Sequence, residues 1–228
     1  MRSSISVIII CKNEEINITE CIKSASFADE IIVLDSGSTD NTIQLAKAAG
    51  AKLIETDWPG YGIQKNRAIE ASSSEWILSI DADERISPAL ASEIISKVNS
   101  QEFNVYEIPR KSLYVSKFME HSGWYPDKTK RLFKRGHAKF TDSVIHESLE
   151  TAESVGQLSE PMLHFSYRNF EGVLQKINHY SSISAQKKFN ESLSRISGRQ
   201  GGIHVGHIEC RRGVLPPSKN DATASASL

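Results

Sequence analysis

Trp76-Ile77-Leu78-Ser79-Ile80-Asp81-Ala82-Asp83-Glu84 runs from apolar side chains straight into a cluster of carboxylates. So short a run also suits a helix fragment, but its β-branched and aromatic content favours a buried strand of a parallel sheet. The carboxylates then fall at the strand's carboxyl end, where open α/β sheets hold their ligands. Asp81 and Asp83 are two residues apart, a spacing that puts both side chains on one face of a regular strand. At a strand end, the small Ala82 lets the chain turn and present both to one hard cation. Neighbouring carboxylates repel unless positive charge sits between them, and Mg²⁺ or Mn²⁺ shared with substrate phosphates supplies it. An isolated Asp-x-Asp describes a solvated acidic turn equally well, so its surroundings decide.

The chain of 228 residues suits one α/β domain with a small appendage. A chain of this length buries roughly 70% of its unfolded surface, enough for a self-sufficient core. Lys and Arg total 27 against 28 Asp and Glu, a formal net charge of −1. Nothing in that balance suggests nucleic-acid binding, so anion recognition has to be local. Cys11, Cys21 and Cys210 are odd in number and show no Cys-x-x-Cys spacing, which favours a reducing compartment. No segment reaches the ~18 consecutive apolar residues of a membrane span. Ile5–Ile10 is too short for a signal peptide, and Lys12-Asn13-Glu14-Glu15 follows in place of a small-residue cleavage site, so a first core strand is expected.

Ile5–Cys11 is a continuous apolar run, predicting a strand buried on both faces. Asn13 is placed to cap a following helix, with Glu14 and Glu15 in its first turn. Ile31–Leu34 predicts a second strand, ending in Asp35-Ser36-Gly37-Ser38-Thr39-Asp40, a turn rich in capping residues that opens a helix over Asn41–Ala49. Gly50 stops that helix, and Ala51–Thr56 predicts a weaker third strand. Tyr61–Ala71 reads as a helix carrying Lys65 and Arg67. The central strand is expected to end at Asp83. Ser87-Pro88, a cap followed by Pro at the first helical position, opens a helix to about Asn99. Strand–helix alternation at this spacing implies right-handed crossovers and a parallel sheet.

Beyond residue 100 the pattern changes. Val105–Pro109, Leu113–Phe118, Lys130–Lys134 and Lys139–Thr141 predict short strands without long helices between them, an antiparallel extension of the same sheet. Asn169–Asn190 predicts a helix with Phe170, Val173, Leu174, Ile177, Tyr180 and Ile183 on one face. Periodicity stops after Gly198. The expected organisation is one domain over 1–197, changing character near residue 100 into halves 1–100 and 101–197, then an irregular tail over 198–228.

Three motifs therefore share one crevice at successive strand ends: Cys11-Lys12-Asn13-Glu14, Asp35 to Asp40, and Asp81-Ala82-Asp83. In that order they resemble the family 2 glycosyltransferases with the GT-A fold, over about residues 4–190. Gly123-Trp124-Tyr125-Pro126-Asp127, Arg131-Leu132-Phe133-Lys134-Arg135 and Val144-Ile145-His146-Glu147 resemble more closely the branch that adds glucose to the inner core of bacterial lipopolysaccharide. The resemblance implies an inverting β-1,4-glucosyltransferase using UDP-glucose and a lipid-linked heptose acceptor, in the cytoplasm at the inner face of the inner membrane. It implies that Cys11, Asn13, Glu14 and Gly37 lie along the nucleotide and that Asp35 meets the uracil edge. Asp81 would sit near ribose and metal, and Asp83 would bind Mg²⁺ or Mn²⁺ directly. Lys65 and Arg67 would add positive charge near the diphosphate. Direct displacement needs a base on the far side of the sugar; Glu147 is the first candidate, Asp142 the second and Asp127 the third. Trp124, Tyr125, Asp127 and Arg131 would meet the acceptor.

Each residue also has a plainer role open to it. Asp35 suits a helix cap, His146 a packed structural histidine as well as a third metal ligand, and Trp124 and Tyr125 ordinary core aromatics. Arg131, Lys134 and Arg135 alternate with apolar residues as in any half-exposed strand. Lys65 and Arg67 suit a solvated helix face. An aspartate-nucleophile phosphatase would want its Asp pair on the first strand, which ends here in Cys11-Lys12-Asn13. A nucleotide-sugar-binding module without turnover, or a transferase acting on another cell-surface glycan, uses the same motifs. From Gly198-Arg199-Gln200-Gly201-Gly202 onward the sequence no longer follows the family, which bears on membrane contact and on activity.

Overall fold

The computed structural model describes residues 2–142, 147–167 and 169–174, with positions 177, 178, 181, 182, 185 and 189. The tail expected from residue 198, Cys210, and Val144-Ile145-His146 lie outside them. The fold described here lies within one compact unit, Met1–Ile177.

The first half alternates as expected: β1 (Ile5–Cys11), α1 (Ile18–Ser24), β2 (Glu30–Asp35), α2 (Thr42–Ala48), β3 (Lys52–Glu55), α3 (Tyr61–Ala71) and β4 (Trp76–Asp81). Then come β5 (Glu84–Arg85), α4 (Pro88–Ser100), β6 (Val105–Tyr114), β7 (Lys117–Phe118) and β8 (Asp127–Lys134). β9 (Lys139–Phe140), β10 (Leu149–Glu150), β11 (Val155–Gln157) and β12 (Met162–Tyr167) complete the described elements. The main sheet runs β3-β2-β1-β4-β8-β6-β12-β5, with β7 and β11 also on β6, while β9 and β10 form a separate hairpin. Its first four strands are parallel, so the carboxyl ends of β1, β2 and β4 face one edge.

β1 is buried along its whole length, and its alternate side chains feed two cores. Ile5, Val7 and Ile9 pack with Ile18, Ile22, Leu90 and Ile94 of α1 and α4. Ile8 and Ile10 pack with Ala68 of α3, Phe133, Phe140 and Leu149. Ser87 caps α4 as its sequence predicts, its Oγ accepting from Leu90 N at 3.1 Å.

Several expectations are corrected. Asn13 does not cap α1: it has φ 56°, and the helix begins only at Ile18 after a turn in which Asn17 N and Ile18 N both donate to Glu14 O at 2.8 Å. The central strand ends at Asp81, not Asp83, because the chain turns at Ala82-Asp83 and restarts as β5. The second half is not wholly antiparallel. β8 runs antiparallel to β4 and β6, but β11 and β12 lie parallel to β6. On the helical stretch 170–174 and at 177, Val173 is buried while Phe170, Leu174 and Ile177 are exposed, so the apolar face expected there is covered only in part. Among the described residues no helix is long and apolar enough to cross a membrane.

β4 and β5 are neighbours in sequence yet stand at opposite ends of the path β4-β8-β6-β12-β5. Two residues separate them, so these five strands must curl until their outer edges nearly meet. The curl encloses Glu84, which is fully buried.

Candidate active site

The carboxyl ends of β1 and β2 are joined by side chain to backbone bonds. Asn13 N donates to Ser38 Oγ at 2.8 Å and Thr39 N to Asn13 Oδ1 at 2.8 Å, while Glu14 N donates to Thr42 Oγ1 at 2.7 Å. Asp35 is buried, and its Oδ1 accepts from Gly37 N at 3.0 Å and Ser38 N at 2.8 Å. Gly37 adopts φ 83°, open to glycine without strain. The first amide of α2, Thr42 N, donates instead to Asp40 Oδ1 at 3.0 Å, so Asp35 shapes its own turn and Asp40 serves the helix. The Cys11 thiol lies 3.6 Å from Asp35 Oδ2, and burial, then the Asp35 charge, push its pKa up. Asp35→Ala is expected to cost about 1 kcal/mol or more in the unliganded chain, read from urea unfolding, because two amides lose their acceptor. An unchanged unfolding midpoint would refute that structural role.

Asp81 stands between two cations: Lys65 Nζ at 3.2 Å from Oδ1 and Arg131 at 2.7 Å from Oδ2. Arg131 also reaches Glu84 at 3.0 Å, and Glu84 Oε2 accepts the Asp81 amide at 2.8 Å. Arg110 continues the chain to Glu84 at 3.3 Å and to Asp127 at 2.6 Å. Arg131 is buried because the β8–β6 register slips between Lys130 and Leu132, a bulge that turns its side chain inward. Burial opposes the charges of Asp81, Glu84, Arg110 and Arg131, and at Glu84 it prevails. It pushes the Glu84 carboxyl above its ordinary value. At Asp81 burial acts the same way, but Arg131 and Lys65 outweigh it and hold the carboxyl well below the usual range. Burial lowers Arg131, and Asp81 with Glu84 more than restores it, holding the guanidinium above its ordinary value.

Lys65 ties this network to the base candidates. Its side chain is 3% exposed, and its Nζ lies 2.8 Å from Glu147 Oε1. Glu147 lines a cavity of about 410 Å³ with Lys65, Asp81, Arg110, Arg131 and Phe140. Asp142 is exposed at the end of β9. Asp127 is committed to Arg110 through Oδ2. Arg67 lies apart from Asp81, bonded to Thr56 Oγ1 at 3.0 Å and Asp57 at 2.6 Å. Trp124 packs edge-on to Tyr114 and Tyr167, with centroids 5.7 and 6.1 Å apart, and Lys111 lies 6.0 Å from the Tyr125 ring. Lys134 pairs with Glu75 at 3.0 Å. Arg135 donates to Ser74 O and Ile69 O at 3.0 and 2.9 Å, closing the end of α3.

His164 of β12 is the residue that sequence reasoning missed. Its Nε2 lies 3.2 Å from Asp83 Oδ2, and its Nδ1 lies 3.1 Å from Ser112 Oγ. This pairs one carboxylate oxygen with one imidazole nitrogen, the two kinds of donor that would hold a divalent cation. One carboxylate and one imidazole suit Mn²⁺ better than Mg²⁺, and Ser112 fixes the imidazole as outer-shell partners do. Among the described residues no group of three or more His, Cys, Asp or Glu is placed to hold a metal ion. His146, the third ligand considered from sequence, lies outside the described residues.

Against known proteins, the model of glycosyl transferase family 2 matches residues 6–151. An uncharacterized glycosyltransferase of Rickettsia bellii is 33% identical over 199 residues, covering 82% of this chain and 68% of its own. The lipopolysaccharide core biosynthesis glycosyltransferase LpsC of Rhizobium meliloti is 31% identical over 198 residues, covering 81% of this chain and 71% of its own. Among solved structures, S. aureus TarS 1-349 in complex with UDP-GlcNAc superposes with a TM-score of 0.55 at 19% identity, covering 75% of this chain and 60% of that one. This chain thus spans less than two thirds of the TarS fragment, and the likeness concerns the fold.

Proposed function

We propose that this chain, which belongs to glycosyl transferase family 2, transfers glucose from UDP-glucose to a heptose of a lipopolysaccharide inner core, inverting the anomeric carbon. The observation that carries this reading is Lys65, which joins Asp81 on the donor side to Glu147 on the acceptor side within hydrogen-bonding distance of both. The name of the Rhizobium LpsC, lipopolysaccharide core biosynthesis glycosyltransferase, supports the acceptor class. The UDP-GlcNAc bound to TarS, which shares the GT-A fold, supports a UDP-sugar donor.

In this reading residues 1–100 bind the donor and 101–197 the acceptor, and the enzyme meets its lipid-linked substrate at the cytoplasmic face of the inner membrane. Asp35 accepts from the uracil edge, while Cys11, Asn13, Glu14 and Gly37 line the nucleoside. Asp81 stands by the ribose, and Asp83 with His164 would hold Mn²⁺ or Mg²⁺, which when bound would supply positive charge to the departing UDP. Lys65 adds positive charge beside that group. Glu147 takes the proton of the attacking hydroxyl, with Asp142 as its alternate, and Trp124, Tyr125, Asp127 and Arg131 orient the acceptor.

The test is thermal stabilisation by a panel of UDP-sugars with Mn²⁺, since a ligand that binds only the folded chain raises Tm. UDP release with and without a heptose-bearing acceptor is measured alongside. UDP-glucose should stabilise, and release should depend on the acceptor. Asp83→Asn keeps the shape and removes the charge, and should lower transfer by roughly a hundredfold, about 3 kcal/mol of transition-state stabilisation. Full activity of Asp83→Asn at saturating Mn²⁺ would exclude the metal role. Binding without transfer would favour a non-catalytic module.

A further inference from the structure

We propose that α3 is a strut that sets the distance between the donor turn and the proton-accepting segment, with Asn66 and Gly62 as its positioning residues. The inference rests on the transferase reading above for its chemistry, and on α3's two faces for its geometry. One face addresses the donor side. Gln64, fully buried, donates through Nε2 to Ser36 Oγ at 2.9 Å, next to Asp35. Arg67, three residues on, reaches Gln64 Oε1 at 3.4 Å and Thr56 Oγ1 at 3.0 Å at the end of β3.

The other face carries Gly62, Lys65 and Asn66, which the helical repeat brings together, and all three meet the β9–β10 hairpin. Asn66 Oδ1 accepts from Phe140 N at 2.9 Å, and Asn66 Nδ2 donates to Phe140 O at 2.9 Å. A side-chain amide thus stands in for a neighbouring strand. It is needed because the described hairpin has no backbone ladder to the main sheet. Beyond Phe140, Thr141 N donates to Ser148 O at 3.0 Å and Ser148 N to Thr141 Oγ1 at 3.1 Å, closing the hairpin around Asp142 and Glu147. Gly62 lets the helix lie against this turn: a Cβ there would stand 1.7 Å from Thr141 O, so any larger residue forces helix and hairpin apart. Lys65 then meets Glu147 at 2.8 Å. Donor turn, helix and base segment are joined through Ser36, Gln64, Asn66 and Phe140.

The experiment uses Asn66→Ala, Asn66→Asp and Gly62→Ala in the full chain, with three readouts: kcat for transfer, KM for the donor sugar, and amide hydrogen exchange. Asn66→Ala should speed exchange at Phe140 while β1, β2 and β4 amides stay protected. It should lower kcat by roughly 10- to 100-fold with donor KM within about twofold, since displacement by an ångström costs on that order. Asn66→Asp keeps the acceptor for Phe140 N–H and should recover part of both. Gly62→Ala should act in the same direction. If it fails to fold, the two Asn66 variants still decide. Unchanged exchange at Phe140 in Asn66→Ala would overturn the strut, and so would faster exchange with undiminished kcat. A wild-type chain that transfers no sugar would sink the transferase reading and with it the catalytic part of this proposal. Exchange at Phe140 would still decide whether Asn66 anchors the hairpin.

Discussion

Glu147→Gln is expected to lower the rate of sugar transfer by roughly 10²–10⁴, the usual worth of a general base, while UDP-sugar binding stays nearly intact. Glu147 lines the cavity that Asp81 and Arg131 also line, and Lys65 holds one of its oxygens at 2.8 Å. Among the described residues no hydrogen bond engages the other oxygen. Gln fills the same space but cannot take the proton, and Lys65 retains Asp81 as a partner. The chain should therefore fold as before. Single-turnover kinetics with saturating donor would separate loss of chemistry from loss of binding. Asp142→Asn, at an exposed position beyond β9, is expected to be the milder change. If it abolishes turnover while Glu147→Gln keeps it, the two carboxylates exchange roles. If neither matters, Asp127 is next, which Arg110 holds through Oδ2.

Arg131→Met is expected to destabilise the chain by about 3 kcal/mol at neutral pH, measured by guanidinium unfolding. The guanidinium is 6% exposed and bonds both Asp81 and the fully buried Glu84. Removing it leaves the buried Glu84 and the partly exposed Asp81 with Arg110 and Lys65 as their remaining ion-pair partners. Those two cations keep the cost at the low end for a broken buried pair. The pH dependence has a definite sign. In the native chain Asp81 is depressed, so its contribution is complete above its unfolded value, near 3.9, and is lost as pH falls through the folded value. Without Arg131 both carboxyls lose a cation that favours their charged forms and titrate higher than in the native chain, so the variant is penalised most where they must ionise. The gap between variant and native chain should therefore narrow as pH drops toward about 4. A constant gap from neutral to acid pH would mean that lost packing, not charge, sets the cost.

The parallel half was legible because its strands are near-continuous apolar runs with Gly and capping residues between them. The limits of α3 and the cap at Ser87 came out as read. The strand-end motifs also met in space, because parallel neighbours put their carboxyl ends on one edge. What escaped were features set by partners far along the chain. Asn13 looks like a cap by composition, but Ser38 and Thr39 engage it from the next loop and draw it out of any helix. Arg131 sits among alternating residues, and only a register slip against β6 turns it inward toward carboxylates fifty residues away. His164 lies on a strand that alternates apolar and polar residues from Leu163 to Tyr167, a signal the sequence reading passed over. Its meaning comes from Asp83, across a sheet whose curl no local pattern announces. The hairpin β9–β10 was half seen, as Lys139–Thr141; both its strands are only two residues long, too short for a periodic signal.

The turn at Ala82-Asp83 works as the clasp of a bracelet. It joins the first and last strands of the curl, so its length is dictated by the circumference of five strands and not by any ligand. An inserted or deleted residue there is expected to disturb the β12–β5 pairing and the placement of Asp83 together. Conversely, a swollen side chain anywhere around the hoop would be felt at the clasp, and Asp83 would shift with it. The placement of that carboxylate is thus inherited from the whole ring, and sequence drift on β6, β8 or β12 is expected to move Asp83 without any change in the turn itself.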